Sequence, residues 1–165
     1  MLYERIFKQF NSNHLKYLVI GGVAVNLHGF SRATADLDIL ISLDDENIRN
    51  FIQSAKSLNL TPRVPVKIEE FADEFKRDLW IKEKNMKVFT LLNSKDPMEQ
   101  VDVVLEDYID FDKAYNNRET LAASGIKIPL ISIDDLIKLK MIADRERDTI
   151  DINALKEIKE LKNDE

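Results

Sequence analysis

The stretch GGVAVNLHGFSRATADLDI, from Gly21 to Ile39, decides the predicted fold, because it connects two strands through a short helix. The segment before it, Tyr17 to Ile20 (YLVI), is apolar and predicts a short buried strand. The pair Gly21-Gly22 ends that strand, and a helix is predicted over Val23 to His28. The second strand is predicted over Arg32 to Ile41 (RATADLDILI), where apolar and polar residues alternate at the centre.

The second predicted strand has one polar and one apolar face, because successive side chains of a strand point to opposite sides. The polar face carries Arg32, Thr34, Asp36 and Asp38. The two carboxylates on this face are expected to lie roughly 7 Å apart at Cα. They repel each other unless a cation or a hydrogen-bond donor neutralises them. Mg²⁺ binds such oxygen ligands together with substrate phosphates, so the pattern indicates a metal site.

A third acid lies in a predicted hairpin. Its strands are Lys87 to Leu92 and Gln100 to Leu105, joined by a polar turn that contains a proline. Asp102 is the single acid within the otherwise apolar second strand of this hairpin, and burying it without a partner is costly. If Asp102 converges on Asp36 and Asp38, the three carboxylates complete a metal site.

Each of these features also has an ordinary structural interpretation. An isolated Asp-x-Asp pair is more often solvated than functional, and a bare Gly-Gly pair is more often a tight turn. The order of the features favours function, because Gly21-Gly22 follows a strand and opens a helix. Helix N-termini bind phosphate through free N–H groups, and glycine lets a phosphate approach the backbone closely.

The order of predicted helices and strands indicates one α/β (α+β) domain over residues 1–165, with a mixed sheet flanked by helices, and the protein is expected to be cytoplasmic. Helices at about 132–163 are expected to pack on this domain. Hydrophobic residues make up 44% of the 165-residue chain and charged residues 33%, which is ordinary globular composition. The chain has no cysteine. Its net charge of −6 disfavours a large nucleic-acid-binding surface. No segment has the pattern of a signal peptide or a membrane span, so no membrane partner is expected.

The segment from Gly21 to Ile39, followed by Asp102, resembles the motifs of the nucleotidyltransferase superfamily with the polymerase beta-like fold. It is most similar to small bacterial members related to the AbiEii abortive-infection toxins, which share an Arg-x-Thr-x-Asp-x-Asp run. The C-terminal segment with Lys140, Arg147-Asp148 and Asp151 is similar to the last motif of that group.

The resemblance implies a reaction and a role for each matched residue. A nucleoside monophosphate would pass from an NTP to a hydroxyl group, with two Mg²⁺ ions as cofactors and release of pyrophosphate. Asp36, Asp38 and Asp102 would be the catalytic, metal-binding acids, and Asp102 would also serve as base. The donor's phosphates would contact a second set of residues, namely Gly21, Gly22, Arg32, Thr34 and Lys140. Gly22 stands where the wider superfamily often has serine, so one hydroxyl contact is missing.

Several alternatives stay open at the level of sequence. The acceptor is a small molecule, a protein side chain or an RNA end, and the resemblance to toxins also implies an antitoxin as a partner. The chain is alternatively a non-catalytic nucleotide-binding or interaction module, or a purely structural acidic domain. A surface salt-bridge ladder accounts equally well for the charges from Lys140 to Asp151. His28 is interpreted as a packing residue at the end of its helix.

Overall fold

The computed structural model describes residues 1–165 and contains one seven-stranded sheet with seven α-helices. The strands are β1 (Tyr17–Ile20), β2 (Leu37–Ile41), β3 (Leu60–Pro62), β4 (Val88–Asn93), β5 (Gln100–Val104), β6 (Glu119–Ala123) and β7 (Ile126–Leu130). The helices are α1 (Glu4–Ser12), α2 (Gly21–His28), α3 (Asp45–Ser57), α4 (Glu74–Lys84), α5 (Phe111–Asn116), α6 (Ile133–Ala143) and α7 (Glu146–Asn163). A 3₁₀ helix, Ile68–Ala72, precedes α4.

The sheet is mixed, with the strand order β3-β4-β5-β2-β1-β7-β6. Strand β2 pairs with β5, and β1 with β7, in parallel, whereas the other four pairs are antiparallel. The predicted α/β fold with a mixed sheet flanked by helices is therefore confirmed. The two strands that carry the predicted acids, β2 and β5, are neighbours near the middle of the sheet.

Local sequence explains where several helices begin. The Asp44 side chain accepts a hydrogen bond from the backbone N–H of Asn47 and caps α3. The Ser132 hydroxyl accepts one from the N–H of Asp135 at 3.2 Å and caps α6. Both caps agree with the sequence pattern. The C-terminal helices α6 and α7 contact each other, and both contact α2.

The core is one cluster of 37 buried hydrophobic residues drawn from both halves of the chain. Aromatic rings occupy its centre, where the ring centroids of Phe71 lie 4.9 Å from Phe51 and 5.1 Å from Phe89. Trp80 stacks on Phe89 at 5.3 Å and closes one side. None of the helices combines the length and the apolar composition that crossing a membrane requires.

The structure differs from the sequence prediction in three elements. Strand β2 begins at Leu37 rather than at Arg32, so residues 31–35 have no regular structure. Apolar residues recur at helical spacing from Ile68 to Leu79 and predict one helix, but the structure has a 3₁₀ helix followed by α4, because the Asp73 side chain caps a new helix there. The two prolines of residues 61–66 predict a loop or an edge segment, and residues 60–62 form an edge strand, where Pro62 is tolerated. Strand β6 was not predicted at all, since its residues are mostly exposed.

Candidate active site

The pairing of β2 with β5 brings two of the predicted acids together. In the parallel register Asp38 lies directly opposite Asp102, and Leu37 lies opposite Val101. Asp36 immediately precedes β2, so it lies next to the same pair of strands. Alternation in the sequence predicts that these acids lie on one side of the sheet. The raised pKa values of Asp36 and Asp38, to which the neighbouring acids contribute, agree with this prediction.

Burial and mutual repulsion disfavour the charged forms of two of these carboxylates. Burial raises the pKa of Asp38 to about 7, and the negative charges of Asp102 and Asp36 add to the increase. The positive charges of Arg145 and Lys140 oppose it. The pKa of Asp36 is raised as well, by burial and then by Asp102. The acids therefore lie close enough to repel one another, and a bound cation offsets such repulsion.

The glycine pair packs directly against the segment that carries the acids. Gly21 has a φ of +65°, and a Cβ atom there would overlap the Asp38 carboxylate. A Cβ atom on Gly22 would lie 2.6 Å from Thr34 Oγ1 and 2.9 Å from Arg32 Nη2. The beginning of α2, the polar segment and the acids thus meet at one place. The residues that lie together there are Gly21, Gly22, Arg32, Thr34 and Asp38.

Lys140 lies in a buried ionic network and not on the surface. The residue is only 3% exposed, and its Nζ lies 2.8 Å from Asp151 Oδ2 and 3.3 Å from Asp148 Oδ1. Asp151 Oδ1 in turn lies 3.0 Å from Arg32 Nε, although the two groups are not aligned as a hydrogen bond. Arg145 Nε donates to Asp148 Oδ2 at 3.0 Å. The surface-ladder interpretation is therefore wrong for Lys140, Asp148 and Asp151.

The network connects the predicted phosphate-binding residues to the C-terminal helices. Through Asp151 it joins α6 and α7 to Arg32, and Arg32 borders Gly22. A contact between Lys140 and phosphate stays a prediction, because its ammonium group is paired with two carboxylates. The structure accounts for Asp148 and Asp151 as the counter-ions of Lys140.

The carboxylates suit Mg²⁺ in chemistry but do not form a preassembled metal cage. Oxygen ligands from one or two carboxylates, completed by substrate phosphates, are what Mg²⁺ prefers. The chain contains no group of three or more His, Asp or Glu side chains in the geometry of a formed metal site. The chemistry of Asp36, Asp38 and Asp102 suits Mg²⁺, and their role as its ligands stays a prediction.

Three residues beside the acids were missed by the sequence analysis. The Tyr3 hydroxyl donates to the Ala35 carbonyl at 2.7 Å. Burial raises the pKa of Tyr3 to about 12, with smaller contributions from the three site acids, so the phenol is a neighbour of all three. Gln100 Nε2 lies 3.3 Å and 3.4 Å from the two oxygens of Asp102. Arg63 Nη2 donates to Gln100 Oε1 at 2.7 Å.

Only one of these three residues had a signal in the sequence. Gln100 shares a strand face with Asp102 by simple alternation. Tyr3 and Arg63 are distant in sequence from the groups they contact, and no local pattern indicates them. His28 is buried, with Nε2 at 2.8 Å from the Ile131 carbonyl oxygen, and burial lowers its pKa. These contacts fit its interpretation as a packing residue.

Solved structures with this fold include several nucleotidyltransferases. The lincosamide antibiotic adenylyltransferase LnuA, in its lincomycin-bound form, has a TM-score of 0.60 and 20% identity, with 93% of each chain covered. An antigenic nucleotidyltransferase-like protein from Paracoccidioides brasiliensis has a TM-score of 0.56 and 18% identity, with 94% of this chain and 72% of that chain covered. ANT(2″)-Ia, in complex with adenylyl-2″-tobramycin, has a TM-score of 0.56 and 13% identity, with 93% and 85% covered.

These structural similarities show the fold, and membership of the AbiEii-related group stays a prediction. No curated protein matches the sequence significantly. A family model does match, over residues 2–164, and its description is "Nucleotidyltransferase of unknown function (DUF6036)". Since this match spans almost the whole chain, the chain belongs to this nucleotidyltransferase family.

Proposed function

We propose that the protein transfers a nucleoside monophosphate from an NTP to a hydroxyl acceptor in a Mg²⁺-dependent reaction. One observation carries the proposal. Asp38 and Asp102 are paired across two parallel strands, and the first glycine of α2 packs against the Asp38 carboxylate. A ligand set for Mg²⁺ thus lies at a helix N-terminus suited to phosphate.

The three acids have the metal-binding and catalytic roles in this proposal. Asp36, Asp38 and Asp102 would hold two Mg²⁺ ions, which activate an attacking oxygen and stabilise a leaving oxygen when bound. The acceptor oxygen forms a bond to the α-phosphorus of the NTP, and the bond from that phosphorus to the bridging oxygen breaks. Pyrophosphate leaves, and Asp102 accepts the proton of the acceptor hydroxyl.

The start of α2 and the polar segment have the phosphate-binding role. The backbone N–H groups at Gly21 and Gly22 are available to phosphate oxygens at the positive end of the helix. Thr34 Oγ1 lies 2.6 Å from the point where a side chain on residue 22 would begin. We therefore propose that Thr34 supplies the hydroxyl that a serine at position 22 supplies in the wider superfamily.

The two cationic side chains of the site, Arg32 and Lys140, differ in how readily each can contact a phosphate. Arg32 borders Gly22 and is partly exposed, so the Nη2 end of its guanidinium can contact a phosphate while Nε stays beside Asp151. Lys140 already acts electrostatically on Asp38. To contact a phosphate it would exchange a carboxylate of Asp148 or Asp151 for a phosphate oxygen. We therefore propose that Lys140 contacts a phosphate by such an exchange.

A small molecule is the acceptor class that we favour. The similar structure LnuA, an antibiotic adenylyltransferase bound to lincomycin, matches this chain over 93% of both lengths, which supports a small acceptor. The net charge of −6 disfavours long polyanions such as RNA. A toxin role with an antitoxin partner would require an RNA or protein acceptor, and the assay below includes both.

A screen of acceptors tests the proposal. The protein is incubated with each of the four NTPs, Mg²⁺, and separate pools of hydroxyl-bearing small molecules, RNA and protein, and the products are analysed by mass spectrometry. The expected result is a mass increase of one nucleoside monophosphate in one small-molecule acceptor. Nucleotide binding without any such product would instead support the non-catalytic module.

A further inference from the structure

The segment Ser31–Asp36 carries the first site acid and is held almost entirely by side chains. It belongs to no helix or strand, and none of the backbone–backbone hydrogen bonds outside regular elements involves it. A segment without such bonds adopts many conformations unless other contacts fix it. The position of Asp36 therefore depends on whichever side chains bind this segment.

Contacts at the two ends of the segment restrict it. At the start, the Asn26 side chain binds the backbone of Arg32 twice, accepting from its N–H at 2.8 Å and donating to its carbonyl at 2.9 Å. At the end, the Tyr3 hydroxyl donates to the Ala35 carbonyl at 2.7 Å. That carbonyl belongs to the peptide group that leads into Asp36.

Tyr3 is itself rigidly placed. It is only 5% exposed, and its φ of 62° lies in the left-handed region, which a tyrosine adopts only when surrounding contacts enforce it. Its carbonyl accepts the N–H of Phe7, and Phe7 is buried with the rest of the inner face of α1. The hydroxyl therefore approaches Ala35 from a fixed point in the core.

The same helix also contacts the other acid-bearing strand. Arg5 of α1 pairs with Glu99, the residue before β5, and Glu99 accepts a hydrogen bond from Asn93 at 2.8 Å. Gln100 follows Glu99 and lies against the Asp102 carboxylate. Helix α1 thus contacts the chain next to both acid-bearing strands.

We propose that Tyr3 is a positioning residue whose hydroxyl fixes the Ala35–Asp36 peptide and thereby holds the Asp36 carboxylate where it binds metal and nucleotide. The proposal rests on the proposed function. It assigns to the residue that caps the start of α1 a role beyond core packing, because its hydroxyl replaces the sheet hydrogen bonds that the segment lacks.

The variant Tyr3→Phe tests the proposal, with Tyr17→Phe as its matched control. Both changes remove one hydroxyl from a buried tyrosine and keep the ring. The Tyr17 hydroxyl donates to Asn11 Oδ1 at 3.1 Å, a contact outside the segment that carries Asp36. A loss caused merely by removing a buried hydroxyl would appear in both variants.

Two readouts are measured in the full-length protein. The first is methyl NMR relaxation of Ala33 and Ala35 without metal, which reports the mobility of the segment. The second is the Mg²⁺ concentration that half-saturates binding of a non-hydrolysable NTP, measured by calorimetry with analogues of all four NTPs. We expect Tyr3→Phe to lower the methyl order parameters of both alanines and to raise the Mg²⁺ requirement about tenfold, the lower end for residues that orient metal ligands. Tyr17→Phe should change neither.

The outcomes separate this inference from the proposed function. Order parameters or a Mg²⁺ requirement that stay at wild-type values in Tyr3→Phe overturn the inference, and so do equal changes in both variants. If the wild-type protein binds no NTP with Mg²⁺, the proposed function fails. The alanine relaxation then still decides whether Tyr3 fixes the segment.

Discussion

At the scale of single residues, Asp38 is the most constrained group of the site. Its carboxylate is partly buried, packs against the backbone of Gly21, and lies beside two further acids. Burial and these charges raise its pKa to about 7, which means that ionising Asp38 destabilises the metal-free fold. Natural sequences accept such a cost mostly at functional sites.

Replacing Asp38 by asparagine should therefore stabilise the metal-free protein at alkaline pH. The pKa of Asp38 in the fold, about 7, is above its ordinary value of 3.8, so wild-type stability falls as pH rises between these values. The amide of Asp38→Asn does not ionise, so this variant does not lose stability in that way. The gain over wild type should be small at pH 4 and should reach at most about 4 kcal/mol at pH 8. Urea unfolding in EDTA, followed by the fluorescence of Trp80, measures it.

Addition of Mg²⁺ and NTP provides the control for this prediction. Because a bound cation offsets the repulsion, Mg²⁺ with NTP should stabilise the wild type more than the variant. A gain in Asp38→Asn that is equal at pH 4 and pH 8 would contradict the assignment of Asp38 as the strained acid.

At the scale of elements, the start of α2 packs tightly against the polar segment at position 22. In Gly22→Ala, the new methyl group would collide with Thr34 and Arg32, which lie 2.6 Å and 2.9 Å from its position. Displacing both should lower the affinity for Mg²⁺-NTP by at least about tenfold, or about 1.4 kcal/mol. Calorimetric titration with a non-hydrolysable NTP measures this change.

A double-mutant cycle with Thr34→Ala shows whether the loss arises from that collision. Since both changes act on the same contact, their affinity losses should not add in the double variant. Additive losses, as found for independent sites, would show that Gly22 and Thr34 do not act together at the phosphates.

The buried network between α6 and α7 gives a prediction about stability. Lys140→Met leaves Asp148 and Asp151 without their cation and should lower the free energy of unfolding by about 3–5 kcal/mol. Lys138→Met is the matched control, because Lys138 lies on the same helix and pairs with Asp135 while its side chain stays 65% exposed. The control should cost at most about 1 kcal/mol. Similar losses in both variants would contradict the assignment of Lys140 as the cation that stabilises buried Asp148 and Asp151.

The β4–β5 hairpin and β2 show which elements were predictable from sequence. The hairpin follows from alternation and a polar turn, and the structure has it at nearly the predicted residues. Strand β2 was predicted too long. The alternation of polar and apolar residues continues through Arg32 to Asp36, but the partner strand does not extend that far. Strand β1 reaches only Ile20, opposite Asp38, and the chain then turns into α2. A strand ends where its hydrogen-bond partners end, and a single segment does not reveal that.

The site shows the same division between local and distant information. The acids and the glycine pair were recognised because each lies in a local pattern. The contacts of Tyr3 with Ala35 and of Arg63 with Gln100 join residues 32 and 37 positions apart, so only the fold reveals them. The burial of Lys140 was missed for a similar reason, since helical spacing does not distinguish an exposed charge pair from a buried one.

At the scale of the whole molecule, the fold is retained where the sequence is not. LnuA superimposes on this chain with a TM-score of 0.60 at 20% identity. The family match establishes the class of protein over residues 2–164. Proteins that share one fold differ in function through the side chains of their sites.

Release of pyrophosphate tests the central claim most directly, because it reports transfer before the acceptor is identified. Wild-type protein and Asp102→Asn are each incubated with the four NTPs, Mg²⁺ and the acceptor pools, after circular dichroism has shown that both are folded. The account predicts Mg²⁺-dependent pyrophosphate release by the wild type and loss of that release in Asp102→Asn. Equal release by both proteins, or none by the wild type with any NTP and acceptor pool, would contradict it.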